Sequence, residues 1–209
     1  MGNRQKLRGV YLLTQQLEDS DALLAGVAAA LRGGVRIVQY RDKSNDAARR
    51  VAQAGALREL TRRHDALLII NDDIGLAAEV QAEGVHLGEH DADIVEARRQ
   101  LGAAAVIGAS CYNDLERAQR AAQAGADYLA FGAFFDSSTK PGARQAQLSQ
   151  LEDAARFGLP RVAIGGINAH NARPLIKAGA DAIAVLGAIW DVPDVERAAR
   201  ALTELFQPT

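Results

Sequence analysis

Short runs of β-branched and aliphatic residues alternate along the whole chain with amphipathic, alanine-rich segments. The runs predict strands at Gly9–Leu13, Val35–Tyr40, Ala66–Asn71, Gly84–Leu87, Ala105–Ser110, Tyr128–Gly132, Arg161–Ile164 and Ala182–Leu186. The segments between them predict helices near 20–32, 44–64, 73–82, 91–101, 113–124, 146–157, 169–178 and 193–206. Their apolar residues recur at three- and four-residue spacing, as in Leu115, Ala118, Ala121 and Ala122. Strands that each lead into a helix pair in parallel through right-handed crossovers.

Weak internal repetition fits that alternation. The segments AGADYLAFG at 124–132 and AGADAIAVLG at 178–187 each close a helix and open a strand, and AEGVHLGE at 82–89 is a looser relative. In each, a glycine is expected to supply the left-handed residue between helix and strand. With no linker or shift of composition, residues 1–209 are read as one domain. Eight strands in one α/β domain leave an open doubly wound sheet or a (β/α)8 TIM barrel. An open sheet gathers its site at one switch point, whereas here polar candidates follow nearly every strand, so the barrel is the reading.

Composition narrows the class. Hydrophobic residues are 48% and charged residues 24%, which excludes a wholly disordered chain. The 24 Lys and Arg against 26 Asp and Glu leave a formal charge of −2, so no global field draws the chain to nucleic acid or an anionic membrane. A single cysteine, Cys111, excludes an internal disulfide and fits a reducing compartment. No apolar stretch is long enough to span a membrane and the first residues carry no secretory pattern, so a cytoplasmic location is expected.

The unusual residues fall at predicted strand ends, which a barrel brings to one mouth. In VQYRDKS at 37–43, Gln39, Arg41 and Lys43 alternate, so their side chains are expected to share one direction; two cations and an amide suit a phosphorylated anion. The bland alternative is a solvated turn in which Asp42 pairs with Arg41 or Lys43. LIINDDIG at 68–75 sets Asn71, Asp72 and Asp73 after an apolar strand, with one Asp expected as helix cap. VHLGEHD at 85–91 adds Asp91, itself a possible cap. Asp72 and Asp91 on neighbouring strands would form an oxygen-only set suited to Mg2+. His86 and His90 read as polar packing or rim residues rather than ligands.

GASCYN at 108–113 brings Ser110; Cys111 beside it reads as a buried thiol, not a nucleophile. FGAFFDSSTKPGA at 131–143 is a hydroxyl-rich loop with Ser137, Thr139 and Lys140, suited to holding phosphate. AIGGIN at 163–168 and VLGAI at 185–189 offer backbone amides at Gly165, Gly166 and Gly187, with a helix expected near Asn168 and a short helical turn after Gly187. The set amounts to two anion subsites and one Mg2+ site, with no nucleophile–base pair and no dinucleotide fingerprint.

The ordered motifs QYRDK, NDD, HLG..D, G.S, TK and IGGI, from about Tyr11 to Ile189, resemble the thiamine phosphate synthase family. That resemblance implies a TIM barrel joining aminopyrimidine methyl diphosphate to thiazole phosphate, with small phosphorylated substrates as its partners. By it, Gln39, Arg41, Lys43, Asn71, Ser110 and Lys140 match the pyrimidine diphosphate positions, and Asp72 and Asp91 match Mg2+ ligands. Ser137, Thr139, Gly166, Leu186 and Gly187 match thiazole phosphate contacts or the last loop. Arg41, Lys43 and Lys140 would stabilise charge on the departing diphosphate in a dissociative substitution. Glu89, His90, Asp136, Ser137 and Gly187 depart from residues common in the family. A thiazole tautomerase, another phosphate-binding barrel and a silent precursor-binding protein are the rival readings.

Overall fold

A computed structural model describes residues 6–89, 93–136 and 144–207. Eight parallel strands close into a barrel in chain order, β1 pairing with both β2 and β8. They are β1 Gly9–Leu13, β2 Ile37–Tyr40, β3 Leu67–Asn71, β4 Gly84–Leu87, β5 Val106–Tyr112, β6 Tyr128–Phe131, β7 Arg161–Ile164 and β8 Ala182–Val185. Between and after them lie α1 Ser20–Arg32, α2 Ala47–Arg63, α3 Ile74–Glu79, α4 Ile94–Leu101, α5 Leu115–Gln123, α6 Leu148–Asp153, α7 Ala172–Lys177, α8 Gly187–Trp190 and α9 Val195–Thr203. Short 3-10 turns extend α6 and α9.

α1 begins at Ser20 as the pattern predicts, while α2 to α7 and α9 start later than their predicted bounds, most of them behind an aspartate cap. Asp19, Asp46, Asp73, Asp93, Asp114 and Asp194 each accept a first-turn amide hydrogen bond. Such a bond satisfies one of the amides a helix start leaves open. Asp93 rather than Asp91 therefore caps α4. The helix expected near Asn168 begins instead at Ala172. Asn168 and Asn171 bond the backbone of their own turn, at 2.9 Å to the His170 amide and 2.8 Å to the Asn168 amide, and hold that turn outside the helix.

Strand parity divides the core in two. Tyr11, Ile37, Leu67, Ile69, Val106, Tyr128, Ala130, Val162, Ala182 and Ala184 pack together inside the barrel. Their strand neighbours, including Val10, Leu12, Val38, Leu68, Ile107, Leu129 and Ile183, pack outward against the helices. Burial on both faces is why the strands read as nearly continuous apolar runs.

The repeats have a physical meaning at the foot of the barrel. Glu83, Asp127 and Asp181 stand just before β4, β6 and β8. Each accepts the backbone amide of a residue on the preceding strand, at 2.9 Å from Leu68, 2.8 Å from Ile107 and 2.9 Å from Arg161. An arginine faces each: Arg58 lies 3.0 Å from Glu83, Arg98 lies 2.6 Å from Asp127 and Arg161 lies 3.6 Å from Asp181. The glycine reading holds for Gly125 and Gly179, both at positive φ. It fails at 82–89, where Gln81 takes the left-handed conformation and Gly84 lies within β4. Gly84 serves close approach: a Cβ there would sit 1.8 Å from the Val106 carbonyl oxygen of β5.

Asp127→Ala would leave the Ile107 amide without its acceptor and the Arg98 guanidinium, still bonded to backbone carbonyls, without its carboxylate, at a side chain only 5% exposed. Removing one partner of such a pair should lower the unfolding free energy by about 3 kcal/mol, read from urea denaturation.

Candidate active site

Above the packed layers the barrel opens into a cavity of about 520 Å3 at the C-terminal ends of its strands. Leu13, Gln39, Asn71, His86, Ser110, Ala130, Ile164 and Ala184 line it from strand positions, and Arg41, Gly166, Leu186 and Gly187 from the loops that follow. Seven of the predicted site residues, Gln39, Arg41, Asn71, Ser110, Gly166, Leu186 and Gly187, are thus brought to one wall system. Asp91, His90, Ser137, Thr139 and Lys140 lie outside the described residues.

The cations do not all share one direction. β2 ends at Tyr40, so strand parity holds for Gln39 and lapses beyond it. The Arg41 amide donates to the buried Thr14 hydroxyl at 3.0 Å, and the Lys43 amide donates to Gln16 at 3.0 Å, which stitches this loop to the one after β1. Arg41 lines the cavity, and its guanidinium has no carboxylate partner among the described residues. Lys43 instead stands at the rim, ion-paired with Asp72. Asp42 pairs with neither. It is turned away from solvent, accepts the Ser44 amide at 2.7 Å and lies 3.5 Å from Arg49. Burial pushes its carboxyl up, but those contacts outweigh burial and hold it below the usual carboxylate range.

Asp72 is not a cap, since Asp73 takes that role; it sits at φ 63°, a left-handed conformation that Asp tolerates. Its amide donates to the His86 carbonyl oxygen at 2.9 Å, and its carboxylate accepts from the Asn71 amide at 2.6 Å. A hard, quarter-exposed oxygen donor held in this way fits one position around Mg2+, which keeps several waters and binds phosphate oxygens. Among the described residues no three His, Cys, Asp or Glu side chains gather, so a set built on Asp72 would need Asp91 and substrate oxygens to complete it.

On the opposite side, Gly165 and Gly166 follow β7 at φ 104° and 63°. A Cβ on Gly166 would meet the Asp136 carbonyl oxygen at 2.5 Å, so only glycine lets this loop fold against the one after β6. Asn171 donates to the Gly166 carbonyl at 3.0 Å and clamps the turn. Gly187 opens the short α8, which Trp190 anchors by donating its indole N–H to the Leu13 carbonyl at 2.8 Å. A Cβ on Gly187 would approach the Asp191 carboxylate oxygen at 2.5 Å, a flexible side-chain tip able to move aside.

The floor carries residues the sequence did not mark as functional. Tyr11 and Tyr128 are fully buried with hydroxyls 2.8 Å apart. Gln39 donates to Tyr11 at 2.8 Å, and His86 bonds Tyr128 at 2.9 Å and Ser110 at 2.9 Å. Burial pushes both tyrosine pKa values well above the ordinary phenol, so both hydroxyls keep their protons. The signal in the sequence was parity: Tyr11 lies two residues before cavity-lining Leu13, and Tyr128 two before Ala130. Their meeting, 117 residues apart in sequence, was not readable. Cys111, on the outward face of β5, is completely buried and its thiol is pushed up to about 12, first by burial. Thiol reagents at pH 8 should therefore leave the folded protein unlabelled and modify Cys111 only after denaturation, as followed by mass spectrometry.

Comparison with known proteins adds an independent line. Residues 10–189 match a family model described as thiamine monophosphate synthase. The thiamine-phosphate synthase of Thiobacillus denitrificans is 57% identical over 199 residues, covering 95% of this chain and 94% of that protein. The thiamine-phosphate synthase of Chromobacterium violaceum is 55% identical over 201 residues, covering 96% and 97%. Among solved structures, thiamine phosphate pyrophosphorylase from Pyrococcus furiosus superposes with a TM-score of 0.86 at 36% identity, covering 97% of this chain and 96% of that one.

Proposed function

The chain belongs to the thiamine monophosphate synthase family and is a transferase that forms thiamine phosphate, and from that premise we propose how its barrel mouth does so. Aminopyrimidine methyl diphosphate binds across the strand ends from β2 to β5, between Gln39 and Ser110, thiazole phosphate binds on the β7–β8 side, and the two reacting atoms meet over the floor between them. The observation that carries this reading is the pairing of two unlike anion-binding walls across one cavity. One wall has Asn71 and the Arg41 guanidinium, which has no carboxylate partner among the described residues; Asn71 bonds Asp72, which in turn pairs with Lys43. The other has the backbone loops at Gly166 and Gly187.

The bond from the pyrimidine methylene to the diphosphate oxygen breaks, and its electron pair leaves with diphosphate. Arg41 and Lys43, joined by Lys140, would hold that developing charge, since preorganised cations act most strongly where charge appears in the transition state. Lys43 is already fixed at the rim by Asp72, so little reordering is needed to meet a phosphate oxygen. The thiazole nitrogen then supplies the lone pair for the new C–N bond. Ser137, Thr139 and Gly166 would position the thiazole phosphate, with Leu186 and Gly187 closing the far side. Water would also trap the pyrimidine cation, so the apolar Leu13, Ile164 and Ala184 surfaces that line the cavity have a role in excluding it. Asp72 and Asp91 would hold Mg2+, which when bound supplies further neutralisation of the departing diphosphate.

The direct test is thiamine phosphate formation from the two purified substrates with and without Mg2+. Mg2+-dependent product with equimolar diphosphate is expected; equal rates in chelator would remove Mg2+ from the reaction. Arg41→Ala should weaken pyrimidine diphosphate binding by about 2–5 kcal/mol, measured by calorimetry, and unchanged affinity would refute its assignment. Asp91→Asn should abolish most Mg2+-dependent turnover while leaving the urea midpoint nearly unchanged.

A further inference from the structure

The hydrogen-bonded chain Gln39–Tyr11–Tyr128–His86–Ser110, buried as far as Tyr128 and half-buried at His86 and Ser110, crosses the barrel floor from β2 to β5 with every donor–acceptor distance between 2.8 and 2.9 Å. It is built by the barrel's register. His86, Gly108 and Tyr128 are aligned neighbours on β4, β5 and β6. Gly108 contributes no side chain: a Cβ there would fall 2.0 Å from Tyr128 Cζ and 2.3 Å from its hydroxyl. Tyr128 therefore leans over Gly108 and stacks on the His86 ring at a centroid distance of 5.5 Å, with its hydroxyl against Nδ1.

Counting hydrogens along this chain gives it a direction. The Gln39 amide N–H donates to the Tyr11 oxygen. The Tyr11 hydrogen then has the Tyr128 oxygen as its acceptor. Tyr128, having accepted, donates its own hydrogen to His86 Nδ1. With Nδ1 as acceptor, the ring hydrogen lies on Nε2, where the Ser110 oxygen is its acceptor. The Ser110 hydrogen is left for the cavity that Ser110 lines. Running the bonds the other way, with Gln39 still donating, would leave the fully buried Tyr11 hydroxyl hydrogen without an acceptor among the described residues, a costly arrangement for a buried donor.

We propose that Tyr11, Tyr128 and His86 are positioning residues that form a proton-ordered relay, fixing His86 as its Nε2–H tautomer so that Ser110 meets the substrate as a hydrogen-bond donor. The reverse direction becomes complete only if the Gln39 amide turns over and its carbonyl accepts from Tyr11. The state of Gln39 on one side of the mouth is thus tied to the state of Ser110 on the other. A ligand carrying an acceptor, such as a diphosphate oxygen, at Ser110 and an N–H donor at Gln39 satisfies the forward direction at both ends. A ligand with these groups exchanged does not. Specificity for a substrate that combines an anion with an amino-bearing ring then has a source that neither end holds alone. The functional half rests on the placement of the pyrimidine diphosphate given above; the tautomer does not.

The experiment has two parts. Nitrogen-15 NMR of the histidine-labelled protein without substrate should place the His86 proton on Nε2, with Nδ1 bare. In Tyr128→Phe, which keeps the ring but removes the hydroxyl, that single signature should give way to a mixture of tautomers. A proton on Nδ1 in the unsubstituted protein, or an unchanged signature in Tyr128→Phe, would overturn the relay. The second part is a double-mutant cycle between Tyr11 and Ser110, which share no hydrogen bond. Tyr11→Phe should raise the KM for the pyrimidine diphosphate about tenfold with a smaller change in kcat, and by less than about twofold once Ser110→Ala is present. If the Tyr11→Phe effect persists in full in the Ser110→Ala background, Tyr11 acts through general packing and the relay is refuted. If Ser110→Ala alone leaves KM unchanged while the tautomer is as stated, the substrate placement falls and the ordered chain stands without its functional half.

Discussion

Two tyrosine hydroxyls sealed inside a closed barrel impose the constraint from which much of the site follows. A closed sheet of eight strands has an interior that must be filled, and here Tyr11 and Tyr128 are the largest side chains filling it. Each brings a hydroxyl that cannot reach bulk water and so must be bonded within the protein. Satisfying the pair recruits Gln39 from β2 and His86 from β4, and through His86 it recruits Ser110 from β5. The packing of the core and the placement of polar groups at the mouth are therefore one problem with one solution. The glycine at 108 is the space this solution requires on the neighbouring strand.

The same closure sorts charge. Strand parity lets only alternate residues face the interior, and below the mouth those are apolar or fully bonded. Free charge is confined to the loops, where Arg41 has no carboxylate partner among the described residues and Lys43 is restrained by Asp72. An anion entering the cavity thus meets one guanidinium, the carboxylates of Asp136 and Asp191 and glycine-rich backbone above, and hydrogen-bonding groups below. On the proposed mechanism a departing diphosphate would be met by Arg41 and Lys43, and the thiol of Cys111 takes no part, since it points outward, buried and protonated.

Much of this was legible in the sequence because it depends on local pattern. β1, β4 and β7 have the bounds the hydrophobic runs predict, and the alternation of strands and helices sufficed for the barrel. β5 runs two residues beyond its predicted end, to Tyr112, because an irregularity between Ser110 and Tyr112 lets pairing with β6 continue. Helix starts were less legible, since the choice of Asp93 over Asp91 as cap turns on backbone geometry that two aspartates either side of Ala92 do not display. The partner of Asp42 was not legible for a related reason: Arg49 is in the first turn of α2 and not beside it in sequence, so the alternative of a pair with Arg41 or Lys43 does not hold. The mouth was legible where strands end in unusual residues, and the floor was not. Tyr11 and Tyr128 look like ordinary core aromatics until the sheet closes and sets their hydroxyls together.

The three carboxylates at the foot of the barrel have an implication for how the chain can be partitioned. Glu83 ties the start of β4 to β3, Asp127 ties β6 to β5, and Asp181 ties β8 to β7. From β3 onward these seals join strands two by two, with the strands of each couplet linked by a buried or half-buried acid and an intervening helix. A cut after β4 or β6 leaves every such seal inside one piece, whereas a cut after β5 or β7 separates an acid from the amide it serves. The natural module of this half of the barrel is thus the strand couplet rather than the single β/α unit, and split or permuted versions of the chain should reassemble best when divided at its joints.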